Sequence, residues 1–207
     1  MFEIFPAAFA TLFVMVDPIG LTPMFAALTA GMTLRARMSV ALRGLGVAAF
    51  LLLVFGLAGD WLLATLGIGL PAFRIAGGLL LFLVAVEMLF QKRTERREAE
   101  AGKVAAEDDP SVFPLATPLI AGPGALAAML LLTAEAMTPA GTVGVFAAAA
   151  AVLALCLMAF VLTGPIERLL GDTGIRVLTR VFGMILGALA VQFILDGLVA
   201  FWIDAIA

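Results

Sequence analysis

The sequence predicts an all-α membrane protein of six transmembrane helices, arranged as two inverted three-helix repeats, with the first helix of each repeat broken at the midplane. Three observations carry that prediction. The 207 residues are 64% hydrophobic and only 13% charged, against about 45–50% and about 25% in soluble domains. The apolar residues gather in six runs, and a run of roughly 20 such residues crosses a bilayer. A proline–glycine break interrupts the first run and recurs 105 positions later.

The runs cover residues 4–29, 44–66, 72–90, 113–133, 141–163 and 177–202. Each reads as a helix, because an open strand in lipid leaves its backbone groups unpaired. Arginines 35, 37 and 43 follow the first run. Lys92, Arg93, Arg96, Arg97 and Lys103 follow the third, and Arg168, Arg176 and Arg180 follow the fifth. Eleven of the 12 basic residues thus share one side, leaving Arg74 on the other. Basic loops stay cytoplasmic, which predicts outward-facing termini, with Trp61 and Trp202 at the outer interface. Glu3 and the lack of a preceding lysine or arginine argue against a signal peptide.

The chain reads as a single domain, 1–207. Residues 1–90 form the first repeat, 91–111 a charged, solvated cytoplasmic linker, and 112–207 the second repeat. The repeats align by Pro18 with Pro123, and by "RIAGGLLLFLVAVEM" from Arg74 with "RVFGMILGALAVQF" from Arg180. Three spans per repeat turn the second copy upside down, as in many secondary transporters.

The breaks carry the chemistry. In "VMVDPIGLTP", Pro18 donates no backbone hydrogen bond and crowds the preceding turn, and Gly20 loosens the chain. Asp17 is expected to cap a second half-helix that starts at Pro18. "TPLIAGPGAL" repeats the device, with Gly122 as cap and Pro123 as first helical residue. Half-helix starts carry unpaired N–H groups and a partial positive charge, which suits a carboxylate. Expected substrate-binding positions are Asp17, Pro18, Ile19, Gly20 and Thr22 in the first repeat, and Gly122, Pro123, Gly124 and Ala125 in the second. Asp17 would hold an ammonium group or carry a proton, or else simply cap a kink. An aspartate at bilayer depth costs about 3 kcal/mol on insertion scales. Glu87 and Gln192 join Asp17 as coupling or gating candidates, though Glu87 also suits an interfacial position and Gln192 an interhelical hydrogen bond.

Other classes find little to stand on. Cys156 is the single cysteine and there is no histidine. No intrachain disulfide, catalytic triad or zinc helix can be drawn, and no glycine-rich loop with a lysine offers a phosphate cradle. The expectation is no enzyme, no metal, no cofactor and no nucleic-acid partner. The partners are the bilayer, a small solute and a coupling proton or ion; self-association stays open.

Four blocks, "FVMVDPIGLTPMFAALT", "GIGLPAFRIAGGLLLFLVAVEMLF", "FPLATPLIAGPGAL" and "LTRVFGMILGALAVQFILDG", resemble the MarC family of bacterial inner-membrane proteins across nearly the whole chain. The resemblance implies a six-helix fold, a place in the inner membrane, and kinship with amino-acid exporters of the lysine-exporter type. Its signature segments fall on Asp17, Pro18, Gly20 and Pro23, and on Pro118, Gly122, Pro123 and Gly124. The expected function is proton-coupled secondary transport of a small neutral amino acid such as alanine, glycine or serine. The alternatives are transport of a drug-like molecule or inorganic cation, or a non-transporting membrane scaffold.

Overall fold

The computed structural model describes residues 4–93, 95–96, 109–136 and 138–206, apart from the side chains of residues 60 and 204–206. Eight segments follow in order: α1 (Ile4–Val16), α2 (Thr22–Leu28), α3 (Leu34–Thr65), α4 (Leu70–Leu89), α5 (Ser111–Ile120), α6 (Pro123–Glu135), α7 (Pro139–Val161) and α8 (Thr163–Ile206). No strand occurs among the described residues.

Local chemistry sets the boundaries. Thr33 and Thr138 stand in extended conformation before α3 and α7, and their hydroxyls accept from the N–H groups of Ala36 and Gly141. Each thus satisfies one of the four donors a helix start leaves open. Prolines occupy the first turns of α2, α4, α6 and α7, where a missing N–H costs nothing. α5 is irregular. Phe113 and Thr117 are extended, and each precedes a proline, a position where the α conformation is disfavoured. Gly171 breaks α8 with a φ of 58°, in the left-handed region that glycine enters without steric penalty.

Among the described residues, four helical stretches are long and apolar enough to cross a membrane: Leu34–Gly59, Leu70–Leu89, Pro139–Val161 and Thr163–Ile203. α5 and α6, bent by 56°, make a fifth if taken together. The first expected span, residues 4–29, is broken as expected, into α1 and α2. α1 has 13 residues, or about 20 Å, too short to cross unaided. α3 begins ten residues before the expected position 44, because Thr33 caps it and its basic first turns tolerate exposure. Of the expected linker 91–111, residues 94 and 97–108 lie outside the described residues; residues 92–93 and 95–96 are helical, Arg93 is buried, and α5 begins at Ser111.

α6 is the hub. Its residues Ala127 through Thr133 are all buried, because α1, α3, α4 and α7 enclose it. A helix that is apolar all round up to Thr133 belongs there. α4 and α8 form the most extensive pairing in the molecule. A Cβ on Gly78 of α4 would lie 2.8 Å from the Ala190 carbonyl of α8, and one on Gly183 of α8 would lie 3.1 Å from the Ala85 carbonyl of α4. Small residues let backbones approach where lipid supplies no hydrophobic drive between helices. The outer faces of both helices expose Leu79, Phe82, Leu83, Met184 and Ile185, as lipid-facing surfaces do.

Local details recur between the halves. α1 lies on α7, and α6 lies on α3. Thr29 bonds back to the Phe25 carbonyl as Thr133 does to that of Met129. Gly67, between α3 and α4, and Gly171 both adopt positive φ.

Candidate functional site

The first break is a five-residue turn. Asp17 ends α1 with a φ of 58°, a left-handed conformation that aspartate tolerates better than most side chains. Its carbonyl accepts from the Leu21 N–H and its Oδ1 from the Gly20 N–H at 3.0 Å. The carboxylate therefore caps a turn, while α2 proper starts only at Thr22, with Leu21 as its N-cap. This corrects the expectation that the half-helix begins at Pro18: with the positive φ at Asp17, residues 18–21 form a turn and helix resumes only after it. Gly20 is required in this turn, since a Cβ there would sit 2.0 Å from Asp17 Oδ2. Thr179 of α8 donates its hydroxyl to that same oxygen at 3.3 Å. Asp17 is wholly buried and fastens the break to α8.

The second break is shorter. Gly122, extended, is the N-cap of α6, and Pro123 takes the first position, as expected from the sequence. A Cβ on Gly122 would meet the Pro118 carbonyl at 2.5 Å, so only glycine fits the turn. Gly124 lies against the end of α1, where its Cβ would strike the terminal methyl of Met15 at 1.8 Å.

A cavity of about 210 Å³ opens at this α6 start. Gly122, Pro123, Gly124 and Ala125 form one wall, and Glu87, Arg93 and Arg96 contribute charge. Glu87 Oε1 pairs with Arg96 Nη1 at 2.9 Å, while its Oε2 is buried and has no hydrogen-bond partner among the described residues. Arg93 is 7% exposed. Its guanidinium donates to the Met15 carbonyl and contacts the Met88 sulfur, placing a cation where the C-terminal carbonyls of α1 are open. The cavity thus has helix-start amides and two guanidinium groups as donors, and one carboxylate as acceptor.

The other sequence candidates lie elsewhere. Asp17, Pro18, Ile19 and Thr22 do not line this cavity. Thr22 bonds its hydroxyl to the Ile19 carbonyl at 2.7 Å. Gly20 opens instead onto a separate hollow of about 150 Å³ with Pro23, Asp172, Arg176 and Thr179. Gln192 is exposed and donates to Asp196 at 2.8 Å. It lies near the position in the second half that corresponds to Glu87, and its partner is an acid four residues on, where that of Glu87 is Arg96. Sequence reasoning missed Arg93 and Arg96. Their only signal is closeness to the end of an apolar helix, which solvated arginines share.

At the far end of α4, Arg74 Nε lies 3.4 Å from Glu135 Oε1 at the end of α6, with both side chains largely buried. α4 therefore carries one ion pair near each end. Among the described residues there is no cluster of three or more metal-ligating side chains.

A family model described as "MarC family integral membrane protein" matches residues 2–202. A UPF0056 membrane protein of Methanocaldococcus jannaschii is 36% identical over 95% of this chain and 96% of its own. Two Escherichia coli proteins, the UPF0056 membrane protein YhcE and the UPF0056 inner membrane protein YhgN, are each 33% identical, covering 95% and 96% of this chain and 93% and 97% of their own. No solved structure matches.

Proposed function

The chain belongs to the MarC family of integral membrane proteins, and from that premise we propose that it is a secondary transporter of a small neutral amino acid, coupled to protons. The observation that carries the proposal is the cavity at the α6 start. It joins helix-start amides and guanidinium groups to a half-buried carboxylate at the edge of an apolar bundle. A zwitterion has both complements, and its size class is that of alanine, glycine or serine. Charged groups within spanning segments are costly and tend to mark substrate and ion paths.

Two inverted repeats of three spans give the device its motion. Supporting this are the matched threonine bonds, the paired left-handed glycines, and the reciprocal packing of α1 on α7 and α6 on α3. In this reading α1 and α2 together make a sixth, broken span, and α5 with α6 makes its inverted partner. The repeats rock about the cavity, opening it to one side at a time. The inner membrane named for the relative YhgN is the place proposed for this chain, with both termini outside.

The test is uptake of radiolabelled alanine, glycine and serine by proteoliposomes under an imposed pH gradient. Accumulation that collapses with the gradient is the expected result. The absence of uptake or exchange for all three, with no ligand-induced thermal shift of the purified protein, would sink the proposal.

A further inference from the structure

The cavity has a polarity that identifies which residue reads the amine. We infer that Glu87, and not Asp17, recognises the ammonium group of the substrate, making it the residue that separates amino acids from simple carboxylates. The inference rests on the transport reading above and sharpens it.

Glu87 presents two unlike oxygens. Oε1 is fixed by Arg96 at 2.9 Å, which orients the carboxylate. Oε2 is buried among the cavity walls with no hydrogen-bond partner among the described residues. A buried carboxylate oxygen left unmatched is costly, and a donor ligand relieves it. Facing it are donors, Arg96 and the first amides of α6, while the guanidinium of Arg93, already bonded to the Met15 carbonyl, adds positive charge. A ligand that donates to Glu87 and accepts from the opposite wall is an α-amino acid. An amine alone leaves the first amides of α6 unmet, and a carboxylate alone leaves Oε2 unmet.

Asp17 is the more conspicuous acid in the sequence, but both of its oxygens are engaged, by the Gly20 N–H and the Thr179 hydroxyl. It lies outside the cavity lining. Asp17 is a positioning residue that holds the end of α1, whose Met15 carbonyl in turn receives Arg93.

The experiment compares alanine with propionate, which keeps the carboxylate and the methyl group but lacks the amine. Affinities are read by calorimetry on the full-length chain in detergent. Wild type should prefer alanine by about tenfold or more, the scale of one charge-assisted hydrogen bond. Glu87→Gln should lose most of that preference, with propionate binding unchanged or tighter because Arg96 is released. Glu87→Asp should keep the preference in weaker form. Asp17→Asn should preserve the alanine-to-propionate ratio even where it lowers both affinities. Equal loss of both ligands in Glu87→Gln, or loss of the ratio in Asp17→Asn, overturns the inference. So does a wild type that binds the two ligands alike, although transport of a carboxylate would still stand. A wild type that binds neither overturns the transport reading and this one together.

Discussion

Replacing Asp17 by alanine, glycine and asparagine separates the forces acting at the first break. Alanine removes the acceptor of the Gly20 N–H, a cap worth roughly 1 kcal/mol. It also removes the bond from Thr179, about 1.5–3 kcal/mol for a charged acceptor. It keeps the φ of 58°, which costs a residue with a Cβ roughly 1–2 kcal/mol. Glycine loses the same bonds but is free of that conformational cost. Asparagine keeps a side-chain oxygen for Gly20 and tolerates the left-handed region. The expected order of stability is wild type, Asn, Gly, Ala, with alanine about 3 kcal/mol below wild type and about 1 kcal/mol below glycine. At roughly 2–4 °C per kcal/mol for a chain of this size, alanine should melt about 10 °C early. Cys156, the single cysteine and fully buried, supplies the assay: a fluorogenic maleimide reports its exposure during a thermal ramp. A glycine variant melting below the alanine variant would refute the strain argument. An alanine variant as stable as wild type would refute the clasp itself.

Two further perturbations address the frame. Gly78→Ala should force α4 from α8, since its Cβ meets the Ala190 carbonyl at 2.8 Å and the Ile194 nitrogen at 3.1 Å. Overpacking of this kind costs about 1–3 kcal/mol, visible in the same thermal ramp, whereas Gly46→Ala, into open space, should not lower the melting temperature. Asp109 lies before α5, where the Ser111 hydroxyl and backbone N–H, with Arg43 nearby, hold its carboxyl below its ordinary value of 3.8. A lowered folded-state pKa contributes stability that is present above the unfolded value and lost as pH falls through the folded one. The melting-temperature gap between wild type and Asp109→Asn should therefore stay constant from neutral pH down to about pH 5 and close as pH drops below the ordinary carboxylate range.

The breaks were readable because proline and glycine act through local geometry. "DPIG" and "GPG" mark helix breaks whatever surrounds them. Gly122 as cap and Pro123 as first residue follow from that logic alone. The exact start of α2 did not, because it depends on Asp17 taking a positive φ, and several residue types could stand at a kink without doing so. Asp17 announced a buried charge, but its partner Thr179 is 162 positions away. Arg93 is the clearest case of illegibility. An arginine after an apolar helix reads as solvated, and only the fold brings the Met15 carbonyl, 78 positions earlier, within its reach. Glu87 was a candidate as an acid near the end of an apolar helix, yet its rank above Gln192 rests on Arg96 and the α6 start sharing its cavity. The halves match in caps and glycines and differ in charge.

The short turn that carries Arg93 and Arg96 fixes where the molecule can be cut. A chain opened within residues 97–108 yields two fragments, and the first keeps Glu87 and both arginines on one piece. Assembly of the cavity then asks only that the second fragment deliver the α6 start. A chain opened between Phe90 and Gln91 hands both arginines to the fragment that lacks Glu87, and leaves the end of α1 without its cation until the pieces meet. As a functional unit, the first half therefore ends at Arg96 and not where its apolar helix stops.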